Sequence, residues 1–264
     1  MKSIYGWITR HTGLCKGILF FILTGFTLYT TGLPYVSFIS IYLIDLALWF
    51  LGNRLIAAAP GKLARDANEQ LTQHCDPYPL LELMDQMAGW NLPGYQQQVA
   101  QMDYAAALRE TGRYHKALEV LESIHIDKFP GTSPYVKYIY YHNLCDVLYL
   151  LDHKDEARIW YKKSLQLYED IPPIKVKEAL SNTYDLMAAE VLHYEGNHEE
   201  ALHKVSQIKL LSPRNILDAA MLAAKCHIAL QQPEQAREKL QYIIEHGNRL
   251  YAVEEAKSLL ETLI

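Results

Sequence analysis

Residues 106–124 read AALRETGRYHKALEVLESI, and the spacing of small and large side chains in this stretch decides the fold. Two amphipathic helical segments meet at Gly112, and on the second Ala117 is followed by Leu121 and Ile124. The spacing recurs downstream. Taking the alanine after each inter-helix turn as an anchor gives Ala117, Ala157, Ala201 and Ala236. Four residues on stand Leu121, Tyr161, Val205 and Leu240, and three further on Ile124, Ser164, Ile208 and Ile243. Twelve before each anchor the residue is small (Ala105, Cys145, Ala189, Ala224), and nine before it stand Leu108, Leu148, Leu192 and His227. Antiparallel helices approach closely only where facing side chains are small, and the large residues beside them fill the grooves. A single pair cannot cover its own apolar stripe, so the pairs stack and share one core.

This pattern resembles the tetratricopeptide repeat (TPR). A helix turn, an Ala-x3-large step and a closing proline are most complete in Ala188 to Pro213, which contains Gly196 and Ala201. The family's tryptophan is absent from every unit, and glycine marks the turn in only two. The anchors are 40, 44 and 35 residues apart, against ~34 in the family, so the first two units carry longer helices or loops. The resemblance covers about Tyr95 to Ile244 and implies a solenoid of helical hairpins whose first helices line a ligand groove. Carried over position by position, the groove residues are Arg109, His142, Asp146, Tyr149, Glu190, His193 and Lys225. Met102, Leu186 and Met221 add apolar contact. The lining is mixed in charge, unlike the Lys/Arg clamp some TPRs use for an acidic peptide terminus. A protein or peptide is the implied partner. Tyr135, Tyr138, Tyr140, Tyr141 and Tyr149 crowd one helix, as binding anchors or as core filler with exposed hydroxyls.

Ahead of the repeats, residues 17–32 run without a charge, and a second apolar run, Tyr35 to Leu51, is broken only by Asp45. At ~16–18 residues each is at the short end for a membrane-spanning helix, which takes ~17–25. No A-x-A cleavage site follows the first run. Lys/Arg on both flanks, with none in the Thr30 to Tyr35 turn, put both termini in the cytoplasm. Asp45 is the one ionisable group at membrane depth. It is either functional or neutral and hydrogen-bonded to Thr24, Thr27 or Ser40.

Pro60-Gly61 is expected to end the membrane part, leaving Lys62 to His74 as a separate helix. Asp76-Pro77 is a helix start signal for a segment to Met87, and Asn91 to Gly94 breaks again. Residues 249–264 form a last amphipathic helix, suited to capping the solenoid. The fold expected is all-α, with a transmembrane helical hairpin in residues 1–59 (spans at about 17–32 and 35–52). A TPR-like α-solenoid follows in residues 60–264.

Residues 1–65 hold six Lys/Arg and one acid. The whole chain is −5, so the remainder carries −10. An acidic repeat domain argues against nucleic acid. The four cysteines lie far apart, with no Cys-x2-Cys pair; Cys145 and Cys226 fall on expected buried faces, and a reducing compartment fits them. His198-Glu-Glu-Ala-Leu-His203 imitates a zinc-protease motif, but its histidines are five apart instead of four and lie off one helical face. His193 and His198 are set aside too, because the turn at Gly196 separates them. No phosphate, dinucleotide or nucleophile-elbow motif is present, so no catalysis, metal, cofactor or small-molecule substrate is expected. The reading is a membrane-anchored scaffold at the cytoplasmic surface. Its alternatives are a transport or ion-linked component using Asp45, and an adaptor for a membrane protease or envelope-assembly enzyme.

Overall fold

The computed structural model describes residues 7–8, 11–30, 38–87, 94–128, 133–171, 176–209 and 212–263. No strand occurs among them. The chain forms two compact units, Met1–Asp66 and Ala67–Ile264.

In the first unit, helix α1 (Thr12–Thr30) and the part of helix α2 (Phe38–His74) up to Asp66 carry the two apolar runs. Gly52 lets them touch, since a Cβ there would lie 2.4 Å from the Leu19 side chain. One expectation fails. Pro60-Gly61 does not end α2, which continues without a break to His74, so Lys62 to His74 is not a separate helix. A proline removes one N–H and crowds the carbonyl four residues back, at about 3 kcal/mol. The helix-forming residues on both sides, Ala57 to Ala59 and Lys62 to Ala64, carry the helix through. Left-handed Cys75 (φ 54°) is where α2 stops. The expected turn at residues 31–35 and the break at 91–93 lie outside the described residues.

In the second unit, α3 (Tyr78–Met87) starts as expected, with Asp76 accepting from the Tyr78 N–H at 3.1 Å. Four hairpins follow: α4 (Gly94–Glu110) with α5 (Tyr114–Glu122), α6 (Pro134–Leu150) with α7 (Lys154–Asp170), α8 (Val176–Tyr194) with α9 (His198–Gln207), and α10 (Pro213–Ala229) with α11 (Pro233–His246). Helix α12 (Ala252–Thr262) packs on α11.

All four hairpin turns share one hydrogen-bond pattern. In the first, Gly112 N–H donates to Arg109 O at 2.9 Å and Arg113 N–H to Leu108 O at 2.9 Å. The same pair of bonds recurs at Asp152 and His153, at Gly196 and Asn197, and at Gln231 and Gln232. This helix ending needs a left-handed residue. Gly112 and Gly196 supply it without strain, while Asp152 (φ 62°) and Gln231 (φ 58°) adopt it against their Cβ atoms. The turn geometry therefore persists where the glycine signal is missing.

The repeat register agrees with burial. Ala117, Ala157, Ala201 and Ala236 are each 0% exposed, and Ala105, Cys145, Ala189 and Ala224 at most 1%. Around the third crossing, Leu186, Ala189, Ala201, Ala219, Leu222 and Cys226 form one cluster. Ala201→Leu is therefore expected to overpack that crossing and destabilise the protein by about 1–3 kcal/mol. Chemical unfolding of the purified chain measures this, and an unchanged midpoint would mean the hairpin register is wrong.

The solenoid bends back on itself. Asn248 Nδ2 donates to His74 O at 2.7 Å, Arg249 pairs with Asp76 at 3.1 Å, and Tyr251 N–H donates to Glu110 O at 2.9 Å. The Tyr251 ring lies so close over Gly112 that a Cβ there would meet it at 2.6 Å. The expected cap is thus also a clasp, joining the last hairpin to the start of the repeat array.

Candidate protein-binding groove

The inner face is built from the first helices of the hairpins, whose inward positions repeat at steps of three and four residues. A narrow cavity of about 90 Å³ lies there, lined by Arg109, Glu110, Asp146, Glu190, His193, Asp218, Lys225, Tyr251 and Glu255 among others. A smaller one beside it adds His142, Leu186 and Arg214. Of the seven residues expected in the groove, the structure brings six to these cavities and leaves out one. Tyr149 is 4% exposed and stacks on Tyr194 with ring centres 4.4 Å apart. It belongs to the cluster of Cys145, Leu148, Ala157, Met187 and Val191. At the end of α6 its long ring bridges to the next hairpin, where burying apolar area outweighs leaving its hydroxyl without a hydrogen-bond partner. Tyr138 and Tyr140 are also buried, and only Tyr135 of the tyrosine-rich helix is exposed. Most of that cluster is core.

Charge neutralises charge across the groove. Arg109 pairs with both Asp146 and Glu110. Glu110 also accepts from Arg214 Nε at 2.9 Å, and Arg214 reaches Asp218 at 3.0 Å. Lys225 pairs with Glu255 of α12 at 2.7 Å. The Glu110–Arg214 contact ties α4 to α10, 104 residues apart in sequence. Glu110, Arg214, Asp218 and Glu255 escaped the sequence reading. Their signal was faint: Glu110 sits beside Arg109 and Asp218 a helical turn before Met221, both carried-over inward positions, but nothing local says which neighbour turns inward.

Confinement moves the ionisations. Burial pushes the Glu110 carboxyl up to about 7, against the pull of Arg109. Burial and Asp218 push Glu190 up to about 7, and burial also raises Asp218. His142 goes the other way, lowered to about 3 by burial and by Arg109. A carboxyl whose value is raised on folding stabilises the fold in its protonated form. That contribution is complete below its ordinary value of 4.5 and is lost as pH climbs through about 7. The melting temperature is therefore expected to fall as pH rises from about 4.5 to about 7 and to level off above that. Glu110→Gln, which cannot ionise, should fall less over the same range. Equal slopes for the two proteins would mean that Glu110 does not titrate there.

Two histidines set aside in sequence do meet. His193 Nδ1 and His198 Nδ1 lie 3.1 Å apart, and His193 Nδ1 is 3.3 Å from Cys226 Sγ. The Gly196 turn folds α9 back on α8, so it joins these side chains instead of separating them. The protease-like pair does not form: His203 is exposed and contacts Gln207.

Comparison with known proteins gives one family. The model described as the SusR N-terminal TPR domain matches residues 91–246, nearly the span over which the repeat was read. No curated protein and no solved structure gives a significant match. TPR repeats act as scaffolds for protein–protein interaction and are generally non-catalytic. With more than half of its length matched and the hairpin register in place, the chain belongs to the SusR N-terminal TPR domain family.

Proposed function

We propose that this chain is a non-catalytic, membrane-tethered TPR scaffold that gathers a protein partner at the cytoplasmic surface of the cell membrane. The distribution of exposed apolar side chains carries the reading. Among the described residues, seventeen of twenty-one exposed large hydrophobics lie between Trp7 and Leu55. Phe21 is 75% exposed and Leu28 72%. Such a surface is costly in water and at home in lipid. Helix α1, with 19 residues, is about 28 Å long, close to the ~30 Å of a bilayer core. The basic flanks favour both termini inside. Cysteines introduced at Ser3 and at Glu261 should resist a membrane-impermeant thiol reagent in intact cells. Labelling of either would reject this topology.

The partner face is the inner groove, with Arg109, His142, Asp146, Glu190, His193 and Lys225 as its polar lining. Tyr149 has no part in it. The cavity is smaller than the ~150 Å³ that holds one benzene ring, and Tyr251 and Glu255 line it. A peptide therefore enters by displacing the α12 segment. Tyr251→Ala, at an exposed site, should free that segment and raise co-purification of the partner in mild detergent, whereas adding Lys225→Ala should abolish it, both with the helical content unchanged.

A second reading keeps one observation in its favour. Among the described residues, both carboxylate oxygens of Asp45 are buried without a hydrogen-bond partner. Thr24 and Thr27 donate to their own helix, at Phe20 O and Leu23 O, and the Ser40 side chain lies outside the described residues. An unpaired acid at membrane depth suits an ion-linked role. If Asp45→Asn abolishes the cellular phenotype while the groove variant behaves as wild type, the function lies in the membrane unit.

A further inference from the structure

The contacts among His193, His198 and Cys226 are more than hydrogen bonding between them can satisfy. An imidazole Nδ1 presents either one proton or one lone pair in the plane of its ring. The His193 Nδ1 faces His198 Nδ1 at 3.1 Å and Cys226 Sγ at 3.3 Å. If it accepts a proton from His198, its lone pair is spent and the Cys226 thiol cannot donate to it. If it accepts from the thiol, two nitrogens face each other without their own shared proton. If it donates, one proton must serve both His198 Nδ1 and Cys226 Sγ, so in every arrangement one close contact is shared or unmet.

A cation between the three atoms resolves the conflict, because each then directs a lone pair at it. All three lie within 4.8 Å of one another. Around a tetrahedral zinc ion with bonds of about 2.0–2.1 Å to nitrogen and about 2.3 Å to sulfur, ligand atoms are spaced roughly 3.3–3.6 Å apart. The His193–His198 contact falls just below that spacing and the His193–Cys226 contact lies at its lower edge. Two imidazoles with a thiolate suit a borderline transition ion and are a poor set for magnesium or calcium, which take oxygen. Lys225, a nearby cation that would repel a metal, is neutralised by Glu255 at 2.7 Å.

We propose that His193, His198 and Cys226 form a binding site for a divalent transition-metal ion of the zinc class. The ligands come from the end of α8, the start of α9 and the last turn of α10, so the ion would pin one hairpin to the next. Three protein ligands leave a fourth position for water or for a group from a partner. His193 and His198 are only half-buried, which gives the ion a way in. Because His193 also lines the groove, metal occupancy would fix the groove wall beside Lys225.

The test uses the full chain, purified in detergent and freed of metal with a chelator, then titrated with Co²⁺. One equivalent should give the thiolate-to-cobalt charge-transfer band and the visible bands of a four-coordinate site, and Zn²⁺ should bleach both. Cys226→Ser should remove the charge-transfer band. His198→Ala, at a half-buried position, should keep the helical content and weaken binding by at least about 100-fold, since even changes outside the ligand shell cost ~10–100-fold. His203→Ala, an exposed histidine on the same helix, should bind as wild type. The proposal is overturned if the wild-type chain gives no thiolate–cobalt band. It is equally overturned if His198→Ala binds with unchanged affinity.

Discussion

Arg109→Ala is expected to destabilise the protein by about 3–5 kcal/mol, the range for removing one partner of a buried ion pair. Arg109 sits between Glu110 and Asp146, each 8% exposed. Without it these carboxylates stay buried beside Asp218 and Glu190, whose carboxyls burial already raises. Arg214 alone then faces Glu110. Arg109→Lys should recover only part of the loss, because an ammonium is a point charge and cannot span two carboxylates as the planar guanidinium does. Urea unfolding of the detergent-purified chain, followed by circular dichroism, gives both values. A loss below about 1 kcal/mol, typical of a surface pair, would show that Arg109 faces solvent and that no buried pair braces the groove.

Deleting residues 249–264 should have an effect of similar size by another route. Leu250 is 2% exposed, Val253 8% and Ala256 0%. Burying the first two contributes about 1.5–3 kcal/mol each, so a loss of about 3–6 kcal/mol is expected before any polar contact is counted. The deletion also bares Leu240 and Ile243, now 0% exposed, and releases Lys225 from Glu255. The truncated chain should melt earlier and self-associate. Leu250→Ala should reproduce about 2–5 kcal/mol of the loss as a core truncation. Arg249→Ala should cost under about 1 kcal/mol, because its ion pair is exposed. A truncated chain that stays monomeric with an unchanged midpoint would reduce α12 to an appendage.

What the sequence determined by itself is local and periodic. Alanine at 117, 157, 201 and 236, with a small residue twelve positions earlier, marks the helix crossings because only small side chains allow that approach. Their complete burial follows from the same fact, as does the recognition of TPR hairpins. The apolar runs before residue 52 are equally plain, since long, nearly uncharged helices announce themselves by composition. Tertiary structure decided the rest, because curvature accumulates from a small rotation per repeat that no local pattern records. That curvature brings Asn248 onto His74 and Arg214 onto Glu110, turning an expected cap into a clasp and a mixed-charge groove into a braced one. It also sends the Tyr149 ring into the next hairpin, away from the face its register implied. The meeting of His193, His198 and Cys226 is the same kind of fact. Five residues across a turn carry no useful helical phase, and only the fold of α8, α9 and α10 decides that their ligand atoms converge.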